Sequence, residues 1–201
     1  MAGFNFNLET DYDMGQHAMS MVEQVLRWDG IYRADAVPVI AQHILKSAKK
    51  GETERDFRRW CNTPDAPFCI SSWQEYATPH SDSRKWPEIL FTSVVLDIYA
   101  SHRYNQIRES SNEDFPYWQL DCMSRYCKKH SSLDQYIARP DDPIWEDIFP
   151  PNGWMCGCSV LPIMDFDVPP RKRIGRPVSE ELRTQCRNWL QTRPDHILKL
   201  L

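Results

Sequence analysis

One stretch of this chain constrains its fold more than any other: PDDPIWEDIFPPNGWMCGCSVLPI, residues 140–163. Its centre, Pro150 to Gly153, predicts a tight turn, because proline presets the backbone for the second turn position and Asn-Gly tolerates the dihedrals that follow. If the chain leaves this turn as a strand, Cys156 and Cys158 point to the same side, since strand side chains alternate. The two thiols would then face one target.

A partner pair for these thiols lies upstream in the string CKKH, which begins with Cys127 and ends with His130. Cys127, His130, Cys156 and Cys158 form a set of three thiols and one imidazole that suits tetrahedral zinc. Against a metal, only Gly157 separates the second pair, whereas zinc sites usually place about two to four residues between cysteines. Buried thiols beside a hydrogen-bonded histidine explain the same residues, because free cysteine is often buried. Structural zinc and buried thiols both remain open from the residues alone.

The motifs of known metal-dependent enzymes are missing from the sequence. A deaminase would need His-x-Glu with Cys-x-x-Cys, and a zincin would need His-Glu-x-x-His. The acidic residues of this region could bind a hard cation or act as acid and base, but turns, helix caps and solvation are their usual roles: Asp134, Asp141, Asp142, Glu146 and Asp147. We therefore expect no enzymatic activity.

Charge and hydropathy limit the partners of the chain. A net charge of −4 argues against general coating of nucleic acid. The basic residues concentrate in one cluster, which fits a phosphate backbone or an acidic partner, with a solvated linker as the alternative: Arg171, Lys172, Arg173 and Arg176. No apolar run approaches the roughly 20 residues of a membrane helix, so we expect no membrane contact. The seven cysteines are an odd number and do not indicate a disulfide framework.

The hydrophobic pattern predicts an α+β fold that begins helical and ends in a small β-containing module. Apolar residues repeat at helical spacing in several segments: 14–28, 34–50, about 53–61, 83–109 and 179–190. Residues 117–123 and 135–138 have the pattern of strands bounded by turn formers. The predicted domains are residues 1–165, with a helical part at 14–109 and a Cys/His module at 115–165, and residues 166–201, a basic linker with a C-terminal helix.

The string HSSLDQYIARPDDPIWEDIFPPNGWMCGCSV resembles the signature of the Mu F-like family of phage minor head, or head morphogenesis, proteins. The matching positions are His130, Leu133, Asp134, Asp141 to Pro143, Trp145, Pro150 to Trp154, Cys156 and Cys158. The similarity extends over roughly residues 15 to 162. The chain departs from the family pattern at four positions. Gln135 stands where glycine is usual and Met123 where aspartate is usual. Gly157 and Cys127 each stand where arginine is usual.

The resemblance implies a minor capsid protein inside the phage head that acts in capsid assembly or in DNA packaging or ejection near the portal. Its partners would be the portal protein, the major capsid protein, or both, with packaged DNA contacted through the basic cluster. It would be found in the virion, and in the host cytoplasm during assembly. The alternative is a metal-dependent nuclease or toxin-like enzyme, because related modules are sometimes joined to nuclease domains. Chelator-sensitive nuclease activity would distinguish the two.

Overall fold

The computed structural model describes residues 8–28, 32–67, 86–111, 113–122, 128–168 and 174–189. Its helices are α1 (Leu8–Trp28), α2 (Ala36–Lys50), α3 (Glu54–Trp60), α4 (Trp86–Ser110), α5 (Trp145–Ile148) and α6 (Glu180–Arg187). The strands are β1 (Tyr117–Asp121), β2 (Ile137–Ala138) and β3 (Ser159–Ile163), and 3-10 helices cover Lys128–Leu133 and Asp165–Asp167. The predicted α+β class is confirmed.

The chain divides into two compact units, Met1–Val95 and Leu96–Thr192, and the division falls within α4. This division does not test the domain boundary predicted at residue 165, which stays a prediction. No described helix combines the length and apolar character needed to cross a bilayer.

The first unit follows the predicted helical periodicity. Helices α1 and α2 bury residues three and four apart, because those positions share one helix face: Ala18, Met21, Val22, Val25 and Leu26 in α1, and Val37, Ile40, Ala41 and Ile44 in α2. Gly51 ends α2 in the left-handed conformation, with φ of 69°, as expected of a C-terminal glycine. Thr53 is the N-cap residue of α3, and its backbone N–H donates to Asp56 Oδ2 at 2.9 Å.

The second unit contains a three-stranded antiparallel sheet in the order β2-β1-β3. In the register of β1 with β3, Leu120 lies opposite Val160 and both side chains are buried. Strand β3 begins at Ser159, after the two cysteines. Cys156 and Cys158 therefore lie in the irregular segment before the strand, and strand alternation does not explain why both side chains are buried.

Trp118 of β1 is the centre of the core in the second unit. Its ring lies 5.6 Å from that of Trp145 and 6.0 Å from that of Tyr104. Both indoles satisfy their N–H groups: Trp118 donates to Ser111 Oγ at 2.7 Å, and Trp145 donates to the carbonyl of Arg139 at 2.8 Å. Large aromatic rings can be buried here because their polar atoms keep hydrogen-bond partners.

Helix α6 packs against this core. Ser179 caps it by accepting a hydrogen bond from the backbone N–H of Leu182, at 3.3 Å. On its inner face Cys186 is 2% exposed, and Leu182 packs against the same hydrophobic cluster as Trp118. The predicted C-terminal helix thus adds apolar surface to the module.

Gln135, which stands where the family pattern has glycine, adopts a backbone conformation that favours glycine, with φ of 55°. The position is fixed by a hydrogen bond from its N–H to the carbonyl of Leu120, at 2.7 Å. For a residue with a Cβ this left-handed conformation costs roughly 1–2 kcal/mol.

We expect Gln135→Gly to raise the free energy of unfolding by about 0.5–1 kcal/mol, because relief of this strain exceeds the added chain entropy of glycine. Urea denaturation checks the value, with Gln135→Ala as the control, since alanine retains the strain. A glycine variant less stable than the alanine variant would contradict the expectation.

Candidate metal centre

The turn at Pro150 to Cys156 brings the two cysteines back toward the start of the module. Asn152 ties the turn to α5, because its side-chain amide donates to the carbonyl of Ile148 at 2.8 Å. The N–H of Cys156 then donates to the carbonyl of Gly153 at 3.0 Å. Between them, Met155 takes a φ of 55°, which is unusual for a residue with a side chain. Pro150 and Pro151 are joined by a cis peptide bond.

His130 reaches the cysteines from the 3-10 helix Lys128–Leu133, which is held at its end by two side chains. Arg176 donates to the carbonyls of Ser132 and Asp134, at 2.8 and 3.0 Å. Asp134 Oδ1 in turn accepts from the N–H of Cys122, at 2.9 Å, and so fastens this segment to β1. Gly153 lies against the imidazole, since an added Cβ there would meet Cε1 of His130 at 3.4 Å.

The ligand atoms of His130, Cys156 and Cys158 lie within 4.8 Å of one another. Cys156 Sγ is 3.9 Å from His130 Nδ1, and the three residues are only 6%, 3% and 8% exposed. In tetrahedral zinc centres, bonds of about 2.0–2.3 Å place ligand atoms about 3.5–3.8 Å apart. The donor types suit zinc, and the three ligand atoms lie close enough together that they could hold a metal ion. The predicted fourth ligand, Cys127, lies outside the described residues.

Two further buried thiols, Cys122 and Cys186, belong to the same hydrophobic core without joining this cluster. Burial is the main cause that raises the pKa of the Cys186 thiol to about 12, with smaller contributions from the neighbouring Cys156, Cys122 and Asp147. Since the thiolate is the form that binds metals, a thiol with so high a pKa stays protonated. Cys186 is therefore not among the candidate ligands.

Comparison with curated proteins finds two relatives of phage origin. Over 90 residues, 44% of this chain, it is 37% identical to the Mu-like prophage FluMu F protein of Haemophilus influenzae. Over 64 residues, 31% of this chain, it is 34% identical to the putative capsid assembly protein F of Escherichia phage Mu. The resemblance to the Mu F-like family is confirmed.

The matches cover 21% and 14% of those two Mu F-like relatives, so this chain spans well under two thirds of either. No family model matches the chain. No solved structure matches it either.

Gly157, where the Mu F-like pattern has arginine, lies exposed between the two cysteines. It borders a recess of about 60 Å³ whose walls include Tyr99, Arg103, Phe149 and Val160. This volume is far below the roughly 300–1,000 Å³ of small-molecule sites. The recess beside the cysteines is therefore too small for an organic substrate.

The acidic residues beside the Mu F-like turn serve the fold. Asp142 Oδ1 accepts from the N–H of Ile144 at 2.9 Å, and Asp141 forms an exposed ion pair with Arg139 at 3.4 Å. Asp147 is 8% exposed and pairs with two arginines of α6. Glu146 is exposed. These contacts agree with the structural roles expected of the acidic residues.

The basic cluster is only partly described. Arg171, Lys172 and Arg173 lie outside the described residues, so their contact with DNA or a partner stays a prediction. Arg176 uses its guanidinium within the chain, on two carbonyls, and lies 5.8 Å from the ring of Tyr136. A role for Arg176 in binding also stays a prediction, but it would compete with these contacts.

Proposed function

We propose that this chain acts in capsid assembly of a Mu-like phage, as a minor head protein inside the virion. The observation that carries the proposal is the similarity to two phage F proteins, one of them described as a putative capsid assembly protein. The partial coverage of those relatives limits the proposal to a part that this segment plays in the process.

The partners that fit this function are the portal protein and the major capsid protein, met in the host cytoplasm during assembly. Arg171, Lys172 and Arg173 are concentrated enough to contact packaged DNA through its phosphates. The enzyme alternative gains no support from the acidic groups, since Asp134 and Asp142 accept backbone hydrogen bonds and Asp147 forms ion pairs.

We propose that structural zinc is bound by His130, Cys156 and Cys158, with Cys127 as the fourth ligand. Three ligands in buried positions and the short Cys-x-x-His spacing support this assignment. When bound, zinc would link the 3-10 helix to the turn at Pro150–Cys156, and no position would be left for a reacting water. A zinc ion whose four ligands all come from the protein stabilises a fold and does not catalyse a reaction.

We expect the full chain, purified under reducing conditions from zinc-containing medium, to hold about one zinc ion per chain by mass spectrometry. Replacement of a ligand, in His130→Ala or Cys158→Ser, should weaken zinc binding at least about 100-fold, because the remaining donors no longer complete a tetrahedral shell. Cys61→Ser and Cys186→Ser are matched controls: both thiols are buried, and neither belongs to the cluster. Zinc absent from fresh protein, or retained equally by all four variants, would contradict the assignment.

We expect the chain to co-sediment with assembled capsid shells or portal rings of a Mu-like phage. Charge reversal of Arg171, Lys172 and Arg173 should leave that association intact but weaken the retention of DNA. A nuclease assay with and without chelator accompanies the sedimentation. Failure to associate with either assembly would contradict the proposed function. Chelator-sensitive cleavage of DNA that His130→Ala abolishes would support the enzyme alternative in its place.

A further inference from the structure

Helix α6 is attached to the module at two separate places. The first is ionic: Asp147 of α5 accepts from Arg183 Nε at 2.6 Å and pairs with Arg187 Nε at 3.0 Å. The carboxylate is almost buried, whereas the two guanidinium side chains are about a third to a half exposed. This attachment lies on α5 and does not involve the cysteine turn.

The second attachment is aromatic and lies on the cysteine turn itself. Trp189, just after α6, meets Trp154 edge to face with ring centroids 5.3 Å apart. Both indoles are buried, at 8% and 3% exposure. Cys186, one turn earlier, is buried in the same hydrophobic core as Cys156. The last part of α6 therefore rests on residues that flank Met155.

The position of Trp154 depends on a strained turn. Met155 holds a left-handed backbone conformation between Trp154 and the ligand Cys156, which costs roughly 1–2 kcal/mol. The backbone hydrogen bond from Cys156 to Gly153 supports this conformation. Metal bonds to Cys156 and Cys158 would fix the following residues as well. Loss of those bonds would let the turn relax and would disturb the surface on which Trp189 packs.

We propose that metal binding at His130, Cys156 and Cys158 controls whether the C-terminal end of α6 stays docked on the module through the Trp154–Trp189 contact. This proposal rests on the zinc site proposed above. With metal bound, residues 178–189 are held against the module. Without metal, the end of that segment is released.

Hydrogen exchange of the full chain tests the coupling. Zinc-loaded protein is compared with protein stripped by chelator and reductant, the zinc content of each sample is measured, and exchange is followed in peptides from α6, β1 and α2. We expect stripping to speed exchange in α6 at least about tenfold, with changes below about twofold in β1 and α2, because Trp189, directly after α6, packs on Trp154.

Two variants separate the two attachments. Trp189→Leu should lower protection of α6 in the zinc-loaded protein and remove its dependence on zinc, while the zinc content stays unchanged. The double variant Arg183→Gln, Arg187→Gln should lower protection in both states and keep the dependence on zinc, because it removes only the ionic attachment.

Three results would overturn the coupling: unchanged exchange in α6 after zinc has left, equal loss of protection in β1, or retained zinc dependence in Trp189→Leu. In each case, a measured zinc content of about one per loaded chain would mean that the proposed metal site still holds. A loaded sample without zinc would instead remove the metal site and the coupling together. None of these results bears on association with capsid shells, which the sedimentation experiment measures.

Discussion

The approach of His130 to Cys156 and Cys158 is the constraint on which the architecture of the second unit depends. The histidine comes from a 3-10 helix fastened to β1, and the cysteines come from a turn fastened to α5. Their ligand atoms lie within 4.8 Å, so the two segments meet at this point. The buried tryptophans, the sheet and α6 then pack around this meeting point. A fixed surface of this kind suits the proposed role in capsid assembly.

Polar contacts around the cluster explain why a small sheet can hold this geometry. Strand β2 has only two residues, and sheets so small need help from other elements. Arg176 supplies part of that help by holding two carbonyls beside β2, and Asp147 supplies more by holding both arginines of α6. Each of these charged groups is engaged inside the chain. The same residues are therefore poor candidates for catalysis and good candidates for rigidity.

Much of the fold could be predicted from the sequence, because helical periodicity and turn chemistry are local. Gly51 ends α2 as its residue type indicates. The hydrogen-bonded turn, however, spans Gly153–Cys156 with the left-handed residue at Met155, which is later than the turn predicted at Pro150–Gly153. The meeting of His130 with the cysteines could be proposed from donor chemistry, although strand alternation was the wrong reason. Contacts between distant segments could not be predicted: Asp147 with Arg183 and Arg187, or Trp154 with Trp189. The spacing of the two arginines, one helical turn apart, was the available signal, but it does not identify the partner.

X-ray absorption at the zinc edge of the purified, reduced chain tests the central claim most directly, because it reports the atoms bound to the metal. We expect a four-coordinate shell with sulfur at about 2.3 Å and nitrogen at about 2.0–2.1 Å, in a ratio of about three to one. A shell of oxygen and nitrogen alone, or one unchanged by Cys158→Ser, would contradict it.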